Sequence, residues 1–133
     1  MFDVRTGEDE VMVRFRLAPA DARYAGNLVA GSKAMEIFAD LETELSLREG
    51  GDEGLCASYE AVTFSAPLRV GDFVEGIARV IERGRSSRKV EARIFKVVSV
   101  DDRGILIPQD EPILAATAVA TIVVGRGKAA QAS

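Results

Sequence analysis

Residues 21–51 read DARYAGNLVAGSKAMEIFADLETELSLREGG, a glycine-punctuated loop that runs straight into the one long helical pattern of the chain. On a helical wheel Ala34, Ile37, Phe38, Leu41 and Leu45 fall within a stripe about 100° wide, the pattern of one buried helix face. Gly26 and Gly31 punctuate the start and Gly50 and Gly51 the end, so the pattern predicts a helix of four or five turns with a glycine stop. Asp40 and Glu44 lie one turn apart at the edge of that stripe.

The remaining chain reads as strands built to wrap this helix. Val11–Leu17 (VMVRFRL) alternates with a period of two and predicts a half-buried strand that Pro19 ends. Leu55–Phe64 is a second strand, closed by Pro67, because a proline within a ladder removes a donor. Asp72–Glu82 and Arg88–Val100, joined by the GRSS turn of Gly84–Ser87, form a long hairpin, with Gly76 a bulge or a close-approach point. The two prolines of ILIPQDEP predict an irregular segment after the Asp101–Gly104 turn, and Ile113–Val124 is the fifth strand. Residues 1–10 read as a loose terminus, 11–124 as the domain and 125–133 as a fraying tail.

One strand, one long helix and four more strands in consecutive hairpins give an α+β fold: a curved five-stranded antiparallel sheet wrapped around one long central helix, the hot-dog fold. Such a sheet leaves an edge strand open. Pairing with a second copy satisfies it, so a homodimer is expected, alone or as a hexamer built as a trimer of dimers.

Composition narrows the chemistry. A length of 133 residues with 47% apolar content fits one domain with one core. With no histidine and a single cysteine, Cys56, catalytic triads, histidine metal centres, cysteine-rich metal sites and internal disulfides are excluded. Carboxylates, Tyr, Lys, Arg and backbone groups remain as catalysts, and no metal or separate cofactor is expected. The acidic start MFDVRTGEDE is unlike a secretory leader, and no apolar run is long enough to span a bilayer. A cytoplasmic protein without a membrane partner is the expectation. The net charge of −4 argues against nucleic-acid binding. Arg79, Arg83, Arg85, Arg88, Lys89 and Arg93 nevertheless form a local basic strip, which suits a small polyanion.

The segments DARYAGNLVAGSKAMEIFADLETEL, GDEGL, VTFSAPLRVGDFVE, EARIFKVV and EPILAATAVAT together resemble the hot-dog-fold ammonia lyases acting on 3-aminobutyryl-CoA and β-alanyl-CoA. The likeness runs from about Arg16 to Val98 and resumes at Glu111, and Arg23 stands where the family pattern has histidine. The resemblance implies elimination of ammonia from a 3-aminoacyl-CoA thioester, with coenzyme A as part of the substrate. It also implies that the thioester carbonyl is held near the helix start. That chemistry needs a base facing the α-carbon and donors for the enolate-like oxygen. The loop Gly26–Gly31, Leu28 included, offers unpaired helix-start N–H groups. Tyr24 and Asn27 are its polar candidates. Asp40, at a GD-like position, and Glu44, in TEL, are the candidate bases, expected to be partly desolvated in a wrapped helix. Arg83, Arg85 and Arg88 with Ser86 and Ser87 are the candidate grip on the phosphates of coenzyme A. A solvated helix flank and a plain hairpin tip are the alternative readings of the last two groups. Acyl-CoA thioesterase activity, or CoA-ester binding without chemistry, is the alternative function on the same fold.

Overall fold

The computed structural model describes residues 9–125. Its main sheet has five antiparallel strands in the order β1-β6-β7-β8-β4: β1 is Glu10–Arg16, β6 Phe73–Arg83, β7 Ser87–Val100, β8 Leu106–Val123 and β4 Leu55–Phe64. Helix α1, Gly31–Gly50, lies against it. The expected hot-dog architecture is therefore present. Ala34, Ile37, Phe38, Leu41 and Leu45 are all buried, and they meet Val11, Val74, Ala78, Val90, Ala92 and Ile94 of the sheet. Gly51, at φ 72°, ends the helix and donates its N–H to Leu47 O at 3.0 Å.

Gly76 is a close-approach point and not a bulge. Its register is unbroken, Gly76 facing Ile94, and a Cβ there would lie 2.9 Å from Leu41 Cδ1. The helix thus sits down on β6 where β6 has no side chain.

Two expectations change. The segment ILIPQDEP is not irregular but is the first part of β8, where Val98 faces Pro108. Its prolines are tolerated because β8 pairs with β4 only from Ala116 onward, so the earlier residues have a neighbour on one side only. The loop after Pro19 is also more ordered than its glycines predicted. It contains β2 (Ala22–Tyr24) and β3 (Leu28–Val29), which join β5 (Leu68–Arg69) in a small three-stranded sheet.

The junction between the two sheets is fixed by Asp72, which is 0% exposed. Its carboxylate accepts from Arg69 N and Val100 N, each at 2.8 Å, and pairs with Lys96 Nζ at 3.1 Å. Lys96 also donates to Pro67 O at 2.9 Å. Every charge in this buried pair is matched, and the β5 turn is thereby locked to the end of β7. Of the expected termini, 1–8 and 126–133 lie outside the described residues, whereas Glu10 is already strand and Val124 N donates to Ser86 O at 2.9 Å. No helix among the described residues is long and apolar enough to cross a membrane.

Candidate active site

The loop residues predicted from sequence gather at the start of the helix, around two different features. Gly26 and Asn27 turn the chain with φ of 74° and 60°, and with Leu28 they line a cavity of about 360 Å³ whose other walls include Arg69, Val70, Val100 and Asp102. Gly31 opens α1, and a Cβ on it would lie 3.1 Å from Phe64 Cζ. Tyr24 is 61% exposed on β2 and does not line that cavity.

The burial expected of the Asp40–Glu44 flank is found only in part, Glu44 being half-buried and Asp40 exposed. Both residues line an open groove of about 320 Å³ between α1 and β1, with Lys33, Glu36, Val13 and Phe15. Asp40 is exposed, and Glu44 is committed to Arg48 Nε at 2.7 Å. The reason is sheet position. On this side the helix meets β1, an edge strand, and nothing further among the described residues covers the groove.

On the opposite flank a carboxylate that the sequence reading passed over is buried. Glu42 is 3% exposed. Its Oε1 accepts the Tyr59 hydroxyl at 2.8 Å, while Oε2 is buried with no hydrogen-bond partner among the described residues. Burial raises its pKa from the ordinary 4.5 to about 7, with the Tyr59 hydrogen bond pulling the other way. The Tyr59 phenol is held far above its usual range, by its own burial first and then by donating to Glu42. The signal was available in the i, i+4 row Ala34, Phe38, Glu42 and Ser46, all buried. A stripe drawn through apolar residues alone stops at Phe38 and omits the polar half of that row.

Tyr59 reaches the helix because β4 is bulged twice, between Cys56 and Ser58 and between Glu60 and Thr63. Paired strand residues share a face, so Cys56 opposite Ile122, Tyr59 opposite Ala120 and Phe64 opposite Ala116 all face the helix with those buried partners. Simple alternation would put Tyr59 on the other face from Cys56 and Phe64. Each bulge adds one residue and restores it, the second with Ala61 in the left-handed region at φ 54°. Strain of this kind persists where the position of a side chain matters.

The hairpin arginines are tied to the far end of the helix. Arg83 donates to both Glu49 oxygens at 3.0 and 2.7 Å, and Arg88 Nε to Oε1 at 3.2 Å. Arg88 also binds the carbonyls of Gly84 and Ser87. The arginines, Arg83 foremost, hold the Glu49 carboxyl below its usual range. Ser86 accepts from Val124 through its backbone carbonyl, Ser87 through its own from Gly84 N, and Arg85 is exposed with no ion-pair partner among the described residues. About 27 Å of helix separates Gly31 from Glu49, so a single chain does not bring the loop and this tip together.

A long helix seated on a five-stranded antiparallel sheet is the hot-dog architecture. Residues 30–100 match the thioesterase superfamily. Over 121 residues, 88% of this chain and 95% of the relative, the sequence is 34% identical to 3-aminobutyryl-CoA ammonia lyase of Acetoanaerobium sticklandii. The fold superimposes on β-alanyl-CoA:ammonia lyase from Clostridium propionicum with a TM-score of 0.84 and 28% identity, covering 89% of this chain and 86% of that one. A hexameric hotdog fold thioesterase of Campylobacter jejuni shares the fold at a TM-score of 0.70 and 22% identity, covering 84% of this chain and 79% of that one. The chain belongs to the thioesterase superfamily and, within it, to the hot-dog-fold 3-aminobutyryl-CoA and β-alanyl-CoA ammonia lyases.

Proposed function

We propose that the protein eliminates ammonia from a short 3-aminoacyl-CoA, such as 3-aminobutyryl-CoA giving crotonyl-CoA or β-alanyl-CoA giving acryloyl-CoA, and that Glu42 is its base. The observation that carries this is the free, buried Oε2 of Glu42. A carboxylate titrating near neutrality, with one oxygen held by Tyr59 and the other unpartnered, is equipped to take a proton and return it. In the forward direction Glu42 removes the α-proton, electron density moves onto the thioester oxygen, and the unpaired N–H groups at the start of α1 stabilise it. The β-carbon–nitrogen bond then breaks, the electron pair leaving with nitrogen, and ammonia takes its proton from water or from Glu42. Asn27, in the loop before the helix, is the polar side chain we assign to orienting the thioester.

Within one chain these groups are too far apart. Eleven residues of helix put Glu42 about 16 Å beyond Gly31, so the helix start acting with a given Glu42 belongs to a second copy. The strand that brings the copies together is β4, a ten-residue edge of the sheet whose outer ladder is unpaired among the described residues. A homodimer joined along β4, alone or as a trimer of dimers, is the assembly we propose, and the lone Cys56 keeps the cytoplasm as the proposed compartment. Of the arginines at the hairpin tip, Arg85 is the one free, among the described residues, to serve coenzyme A, because Arg83 and Arg88 are both engaged by Glu49.

Incubation with crotonyl-CoA and ammonium tests the reading. Ammonium-dependent loss of enoyl absorbance is the expected result. Release of free thiol instead, with no ammonium dependence, identifies a thioesterase.

A further inference from the structure

The bulge that aims Tyr59 also aims a residue for which the reaction above has no use. Phe64 ends β4 on the helix-facing side, opposite Ala116. Its ring lies against Gly31, so close that any side chain there would press on it. Yet the residue remains 56% exposed in the single chain. Its position is not left to chance: Ser65 N and Ala66 N both donate to Ala115 O, at 2.8 and 3.2 Å, and fix the backbone directly after it. A large apolar ring with its backbone anchored thus stands beside the helix-start N–H groups.

A carbonyl oxygen held by those N–H groups carries its acyl carbons within a few bond lengths of whatever flanks the first helical turn. We infer that Phe64 is the specificity-determining residue of the site, the wall that restricts the acyl group to three- and four-carbon chains. The inference rests on the reading of the helix start as the thioester site. Ala116, the cross-strand partner of Phe64, is small, so shortening Phe64 opens space beside the helix start.

The test measures affinity as well as turnover, so that its outcome does not depend on the lyase reading. Calorimetry gives Kd for butyryl-CoA and hexanoyl-CoA with the wild-type oligomer, Phe64→Ala and Phe64→Leu. Phe64→Ala is expected to shift the ratio of the two constants by at least ~10-fold in favour of hexanoyl-CoA, the scale on which apolar pockets discriminate methylenes. Phe64→Leu should shift it less and in the same direction, and it decides the matter if the alanine variant does not fold. An unchanged ratio in the folded variants overturns the inference. Ammonium-dependent consumption of four- and six-carbon 2-enoyl-CoA is measured alongside. Its absence in the wild type defeats the lyase reading and leaves the affinity ratio to judge Phe64.

Discussion

Glu42 and Glu44 are two residues apart on one helix, and the fold treats them in opposite ways. Glu44 faces the β1 side, where the helix overhangs an open groove, and is an ordinary surface carboxylate bound to Arg48. Glu42 faces β4, where the bulged strand brings Tyr59 against it, and is desolvated until its pKa reaches about 7. Neither difference is local to the residue. The strand that covers each flank decides which carboxylate can serve as a base.

The largest effect expected from this contrast is on turnover. Glu42→Gln keeps shape and removes the proton acceptor, so kcat should fall by at least ~10²-fold, about 2.7 kcal/mol of barrier. Asp40→Asn and Glu44→Gln should stay within a few-fold of wild type in the same steady-state assay. A large loss at Glu44 alone would reverse the assignment of the two flanks.

Tyr59→Phe should act through Glu42. The Tyr59 hydrogen bond lowers the Glu42 pKa, so removing it raises that pKa further and moves the acidic limb of the kcat/KM profile to higher pH. Wild-type activity should rise through about pH 7 as Glu42 loses its proton. Substrate KM should change little, and a profile that drops in height without moving would make Tyr59 a structural residue only.

Stability should show the same group. Below pH 4.5 folded and unfolded chains both hold the proton, whereas between 4.5 and about 7 only the folded chain does. Stability from this site is therefore full at low pH, is lost as pH rises through that window, and is flat above it. Glu42→Gln should remove this slope from denaturation midpoints measured across the window, while Glu44→Gln should leave it in place. The smallest effect belongs to the exposed flank itself: Arg48→Ala breaks an i, i+4 pair worth about 0.3–0.5 kcal/mol, which chemical denaturation at low salt can detect.

The helix, its apolar face, its glycine stop and the five strands were legible because each is written in short-range periodicity. The first part of β8 was not, since proline reads as a breaker until it is known that the strand lacks a second neighbour there. Glu42 and Tyr59 were missed for a related reason. Alternation predicts one face per strand, and two inserted residues in β4 shift that alternation without leaving a glycine or proline to mark them, Ala61 carrying the positive φ. The hairpin arginines were legible as a basic cluster, but Glu49, a distant residue on the last helical turn, pairs with two of them. Burial of a charge and its pairing are properties of the closed fold, and no window of sequence contains both partners.

The central claim is that the proton comes off carbon to Glu42, and exchange of the substrate α-hydrogen with deuterated water reports that step directly. Mass spectrometry of the 3-aminoacyl-CoA recovered from wild type, Glu42→Gln, Asp40→Asn and Glu44→Gln gives the comparison in one experiment. Deuterium is expected to enter the α-position with wild type, Asp40→Asn and Glu44→Gln and not with Glu42→Gln. Undiminished exchange in Glu42→Gln, with exchange lost in Asp40→Asn or Glu44→Gln, would contradict the central claim.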